Sequence, residues 1–234
     1  MAVFDAPLGL RYPWISTLHF RGASVFTPPA TEVLQMSVRR VCSVLLVLCC
    51  AAAVPAGAEE TIVFLRHGEK PSGGLGQLTC QGLNRSLALP SVLIGRYGTP
   101  DYVYAPNPNV KMNDPAGSFY YVRPLATIEP TAIRAGISVN TSAGFTDIAS
   151  LQTLLIKSSK ANATIFVAWE HAYLVKAVQN IMNQYGGGQT VPAWTTGDYD
   201  SLYVVRVTYT SSGITARFDR DSEDLNGQPT GCPS

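Results

Sequence analysis

The sequence predicts one α/β domain, a three-layer sandwich with a mainly parallel central sheet, and three observations carry that prediction. From residue 59 onward, short apolar runs with β-branched residues alternate with segments of helical period. Chemically active residues stand immediately after two of those runs, where the ligand-binding edge of such a sheet lies. The chain is 46% hydrophobic and 14% charged, with no internal repeat or low-complexity tract, so it has material for a core and none of the signature of disorder.

Residues 61–66 (TIVFLR) form a short apolar run and predict a buried strand. A Gly-rich loop follows at 72–76. Residues 78–97 then repeat apolar side chains with helical spacing at Leu78, Leu83, Leu87, Leu93 and Ile94, and Pro90 is expected to kink or divide this helix. A second strand is predicted at 102–105. The stretch 106–118, rich in Asn, Pro and Gly, predicts a flexible loop at the mouth of a pocket. A short helix at 127–135, a strand at 137–140 and a helix from Asp147, its N-cap, to about Ser158 come next. Residues 164–169 (TIFVAW) predict another buried strand, and 171–185 a helix ended by Gly186-Gly187-Gly188. Residues 202–209 and 214–218 predict a terminal hairpin.

The first 58 residues are expected to stand outside this domain. Arg39 and Arg40 precede an apolar stretch from Val41 to Val54, and Ala56-Gly57-Ala58 supplies small residues at a cleavage position. That is the pattern of a signal peptide over 36–58, cut after Ala58, and it predicts a periplasmic or secreted protein. The apolar stretch falls short of the roughly 20 residues a permanent span needs, so no stable membrane insertion is expected after cleavage. Residues 1–35 lie upstream of a complete signal and read as a non-structural extension. The remaining domain, 59–234, has a net charge of about −1. Without clustered Lys and Arg, a nucleic-acid partner is excluded. Tyr120, Tyr121, Trp169 and Trp194 are accordingly read as core and pocket wall.

Of five cysteines only Cys80 and Cys232 lie beyond the leader. In an oxidising compartment they suggest a disulfide between the first helix and the C-terminal tail, with two thiols as the alternative. The domain also holds just two of the three histidines, His67 and His171, each at a strand-to-helix junction. Arg66, Gly68 and Glu69 flank the first, and Glu170 precedes the second.

The segment FLRHGEK, residues 64–70, resembles the signature of the histidine phosphatase superfamily, the phosphoglycerate mutase-like proteins. LTCQG at 78–82 resembles that family's Leu-Thr-x-x-Gly segment, and YVRPLATIEPTA at 121–132 its second arginine segment, with Arg123 and Thr127 in register. IFVAWEHAYL at 165–174 is similar to the strand delivering the second histidine, in the Trp-Glu-His form of one subgroup, and DYDSLYVV at 198–205 to that subgroup's late strand. The resemblance covers nearly all of residues 60–210, in the family's order.

The resemblance implies a phosphoglycerate mutase-like fold and a phosphomonoesterase acting on a small phosphate ester or a phosphoprotein, with no cofactor and no metal. His67 is then the nucleophile, which attacks phosphorus in line to give a phosphohistidine that water hydrolyses. Its other ring nitrogen is expected to meet the Gly68 carbonyl, fixing the tautomer. Arg66 and Arg123 would each offer forked donors to the phosphate and His171 a further one. Gly68 and Glu69 complete the substrate-binding set, Glu69 pairing otherwise with Arg66 or Lys70. Glu170 is the first candidate for proton donor, ahead of Glu129 and Asp147, the latter equally explained as an N-cap. Two other readings use the same residues. One is a non-catalytic phosphate-binding or interaction module. The other is a zinc site on His67, His171 and nearby carboxylates, against which the arginines argue by charge. The Asn-x-Ser/Thr tripeptides at Asn84, Asn140 and Asn162 match a glycosylation pattern that matters only in a eukaryotic secretory route.

Overall fold

The computed structural model describes residues 57–234. The expectations for residues 1–35 and for the leader 36–58 lie outside the described residues, apart from Gly57 and Ala58. In chain order the elements are β1 (Ala58–Arg66), α1 (Cys80–Tyr97), β2 (Tyr102–Tyr104), β3 (Lys111–Asp114), β4 (Gly117–Tyr120), α2 (Arg123–Ala135), β5 (Val139–Asn140), α3 (Ile148–Leu155), a 3-10 turn (Ser158–Lys160), β6 (Thr164–Trp169), α4 (His171–Tyr185), β7 (Ser201–Thr210) and β8 (Gly213–Ser222).

Six strands form one sheet in the order β5-β2-β6-β1-β7-β8. The first four run parallel and the β7–β8 hairpin closes one edge antiparallel. Side chains alternate across β1, so Ile62 and Phe64 join Leu151, Leu174 and Ile181 of α3 and α4, while Val63 and Leu65 join Leu89, Leu93 and Ile128 of α1 and α2. Helices on both faces make three layers with two cores. All four β1 residues are wholly buried, which is why this strand reads as an unbroken apolar run.

Four expectations need correction. Helix α1 runs undivided through Pro90, which is buried in its core-facing side, so packing outweighs the lost hydrogen bond. Its buried face is Gly82, Arg85, Ser86, Leu89, Pro90 and Leu93, whereas Leu83 and Leu87 are exposed. The leucine spacing caught Leu93 of this face but misplaced Leu83 and Leu87, because the inner face carries a glycine and a buried arginine in place of further leucines. Residues 106–118 are not a featureless loop: β3 and β4 pair as a separate hairpin, in register from Lys111↔Tyr120 to Asp114↔Gly117. Both strands are short and half exposed, so no apolar alternation announces them. Tyr120 on this hairpin is exposed, neither core nor pocket wall.

Boundaries shift elsewhere for local reasons. α2 begins at Arg123, four residues early, because Pro124 suits a first helical turn. Asp147 is the N-cap of α3, its carboxylate accepting from Ser150 N–H, but the helix ends at Leu155. β1 gains Ala58, Glu59 and Glu60, which pair with β7, and the buried Glu60 accepts from Tyr209 OH. Cys80 and Cys232 are joined as a disulfide. No described helix is long and apolar enough to cross a membrane.

Candidate active site

The neighbouring strands β1 and β6 lead into the two histidines. Arg66 pairs with Trp169, and the ladder ends where His67 N–H donates to the Trp169 carbonyl at 3.3 Å. His171 opens α4 one residue beyond Glu170. Both therefore stand at the carboxyl edge of the parallel strands, where loops and helix N-termini converge.

The His67 ring is fixed as expected, with Nδ1 2.7 Å from the Gly68 carbonyl. That contact makes Nδ1 the protonated nitrogen and leaves Nε2 with its lone pair. Burial pushes the His67 pKa down to about 3; the Gly68 carbonyl opposes the shift, and repulsion from Arg123 and Arg66 adds to it. The imidazole is thus neutral at any ordinary pH. The Gly68 N–H donates to Thr127 Oγ1 at 2.9 Å.

A glycine pair sets the path of this loop. A Cβ on Gly68 would lie 2.9 Å from the Gly82 carbonyl oxygen, and one on Gly82 would lie 2.5 Å from that of Glu69. Thr79 N–H and hydroxyl both donate to the Glu69 carbonyl, at 2.8 and 3.2 Å, while Thr79 Oγ1 caps α1 by accepting from Gly82 N–H. The Leu-Thr-x-x-Gly segment is therefore the clamp on the His67 loop.

The two arginines are both buried, and the structure separates their roles. Nη1 of Arg66 donates to the carbonyls of Thr196 and Asp198 at 2.5 and 2.9 Å, and its Cζ lies 4.1 Å above the Tyr199 ring. Its Nε–Nη2 edge is left as a side-on fork, with Nε buried and without a partner among the described residues. Arg123 departs from expectation. Nη1 donates to the Gly74 carbonyl and Asp114 Oδ2 at 3.1 and 2.7 Å, and Nη2 to Asp114 Oδ1 and Met112 Sδ at 3.2 and 3.0 Å. The end-on fork is thus taken by Asp114, leaving Arg123 Nε, also buried and without a partner among the described residues. The Arg123 guanidinium lies 4.8 Å from the centroid of Tyr121, whose ring meets His67 edge-on at 6.1 Å. The buried Tyr121 hydroxyl likewise has no partner among the described residues. Buried polar atoms without partners are rare and costly, and three of them belong to Arg66, Arg123 and Tyr121, the two cations that act on His67 and the ring that meets it edge-on.

Glu170 is displaced from its expected role. Its Oε2 accepts from Ala172 and Tyr173 N–H at 2.8 and 3.0 Å as the N-cap of α4, and its Oε1 lies 2.6 Å from His171 Nδ1. Burial alone would raise its pKa, but His171 and the two amides outweigh that and hold the carboxyl below its ordinary value. An ionised carboxylate held by two amides is not set up as a proton donor, and its second oxygen lies against His171. Glu129 is exposed on α2 and Asp147 caps α3, so neither takes that place.

Glu69 pairs neither with Arg66 nor with Lys70. Both of its oxygens accept from Arg85, at 2.8 to 3.1 Å. Arg85 is buried, and its Nη1 reaches Asp200 Oδ1 and Glu223 Oε2 at 3.1 and 2.6 Å. A substrate-binding role for Glu69 is thereby corrected to a brace between the His67 loop and α1. Among the described residues no three of His, Cys, Asp and Glu gather as metal ligands would.

Asp114, Tyr199 and Arg85 carry weight that the sequence did not assign. Tyr199 lies within the late segment already singled out, so a signal existed. Asp114 had none, being one acidic residue in a stretch read as loop.

No protein-family model and no curated protein matches the sequence. Solved structures similar to the chain include a mycobacterial hydrolase, at 14% identity over 69% of this chain and 89% of that one, with a TM-score of 0.46. Mycobacterial glucosyl-3-phosphoglycerate phosphatase in complex with inorganic phosphate is similar at 14% identity over 68% and 95%, with a TM-score of 0.46. Phosphoserine phosphatase from Entamoeba histolytica in complex with phosphoserine is similar at 11% identity over 71% and 98%, with a TM-score of 0.42.

Proposed function

We propose that the protein is an exported phosphomonoesterase of the histidine phosphatase type, working through a phosphohistidine on His67. One observation carries this reading: beside the imidazole locked by Gly68 stand Arg66, Arg123 and Tyr121, whose Nε atoms and hydroxyl are buried donors without partners among the described residues. A tetrahedral dianion with several acceptor oxygens satisfies such donors, and phosphoryl transfer needs little beyond positioning and charge neutralisation. His67 Nε2 attacks phosphorus, a P–N bond forms, and the ester oxygen leaves with the bonding pair. Water then cleaves the P–N bond and releases phosphate.

Glu170, the carboxyl beside His171, is held ionised and so is not set up to hand over a proton. The reading therefore favours substrates whose leaving group departs without a strong acid. The same observation favours a second reading, a phosphate-binding module without turnover. Export is supported by the Cys80–Cys232 disulfide, which suits an oxidising compartment.

Steady-state hydrolysis of p-nitrophenyl phosphate by purified wild type and His67→Ala tests the assignment. Turnover by wild type, lost by on the order of 10³-fold or more in the variant, is expected for a covalent nucleophile. Equal rates overturn the phosphatase reading. Phosphate binding by an inert wild type transfers the site to the binding-module reading.

A further inference from the structure

We propose that Asp114 is a positioning residue for phosphate recognition, holding Arg123 so that its Nε–H is the group offered to the ligand. This inference rests on the phosphate-binding reading of the site. Asp114 ends β3 at the turn of a hairpin that is polar and otherwise half exposed, yet its own side chain is 2% exposed and that of Arg123 1%. Burying two charges is costly unless they are paired with good geometry, and here the pairing is bidentate.

The arithmetic of donors makes the case. A guanidinium has four N–H groups on its two Nη atoms and one on Nε. All four of the Arg123 Nη hydrogens are matched, by Gly74 O, both Asp114 oxygens and Met112 Sδ. Among the described residues Nε–H alone meets no hydrogen-bond partner, the Tyr121 ring lying beside the guanidinium, and it is the donor left for a ligand.

The Gly-rich loop is built around the same carboxylate. Gly76 N–H donates to Asp114 Oδ2 at 2.9 Å, and Arg123 N–H donates to the Gly76 carbonyl at 3.0 Å. Gly74, at φ +79°, could not carry a side chain, because a Cβ there would fall 2.1 Å from Asp114 Cγ. Loop, hairpin and α2 are thus joined through one carboxylate. Lys70 Nζ, 3.8 Å away, adds a second cation to the group.

The test is a double-mutant cycle on the dissociation constant of inorganic phosphate, read by calorimetry with wild type, Asp114→Asn, Arg123→Lys and the double variant. Asparagine replaces one acceptor by an NH₂ that repels an Nη–H, so Arg123 is released. The expected result is phosphate binding about tenfold weaker in Asp114→Asn, with no further loss when the change is added to Arg123→Lys, since the effect runs through the guanidinium. Affinity within twofold of wild type in Asp114→Asn, tighter binding, or additive losses in the double variant each overturn the inference. If Arg123→Lys binds phosphate as wild type does, the phosphate-site reading itself fails, a distinct outcome. Should Asp114→Asn not fold, the wild-type ¹⁵Nε–¹H resonance of Arg123 decides: it must move on phosphate addition, and an unmoved resonance overturns the proposal.

Discussion

Thr127 Oγ1 accepts the Gly68 N–H at 2.9 Å and donates to the Arg123 carbonyl at 2.8 Å, so one buried hydroxyl ties the loop of the candidate nucleophile to the helix of the candidate phosphate ligand. Thr127→Val keeps the shape and removes both bonds, leaving a buried amide unpaired at a cost of about 1–3 kcal/mol. Chemical denaturation is expected to show that loss. On a phosphate ester, kcat/KM is expected to fall about tenfold or more in Thr127→Val and to stay near wild type in Thr127→Ser, which keeps the hydroxyl. Equal effects of the two variants would show that the hydroxyl does not matter.

Acid sensitivity should bear the mark of His67. Its folded pKa, about 3, lies below the ordinary 6.5, so the neutral ring contributes stability that is fully present above pH 6.5 and is lost as pH falls towards 3. In the proposed mechanism the ring therefore keeps the lone pair it needs across the whole range above. In NMR titration from pH 8 to 4.5 the His67 ring is expected to stay neutral. A midpoint near 6.5 would show that burial and the arginines do not hold it.

The opposite sign is expected at Glu223. Burial pushes its pKa from 4.5 up to about 8, against the pull of Arg85 and with repulsion from Asp200 and Glu69. A folded pKa above the unfolded one means stability present in full below pH 4.5 and lost as pH rises through 8. Wild type is therefore expected to lose melting temperature between pH 6 and 9 more steeply than Glu223→Gln. Parallel curves would place the proton elsewhere in the Arg85 cluster.

Much of the fold was legible because β1 and β6 are buried on both faces, and a continuous apolar run ending in a reactive residue has few other meanings. β6 and α4 matched the sequence reading to the residue, and the His67–Gly68 contact followed from the chemistry a nucleophilic imidazole requires. What escaped was decided by partners distant in sequence. Glu69 found Arg85 in the buried face of α1, where a charged residue contradicts amphipathic patterning. Arg123 found Asp114 on a polar hairpin that local propensity renders as loop. Glu170 became a cap because its carboxylate meets the first amides of α4 before it meets anything else. Each is a choice among polar partners, on which periodicity carries no information.

The claim on which the account rests is that phosphorus becomes bonded to His67. Rapid quenching of the protein with a radiolabelled phosphate ester measures this directly. The account predicts a protein-bound phosphate that is labile to acid and stable to base, as a phosphoramidate is, present in wild type and absent from His67→Ala. Label that survives acid, or that persists undiminished in His67→Ala, would contradict it.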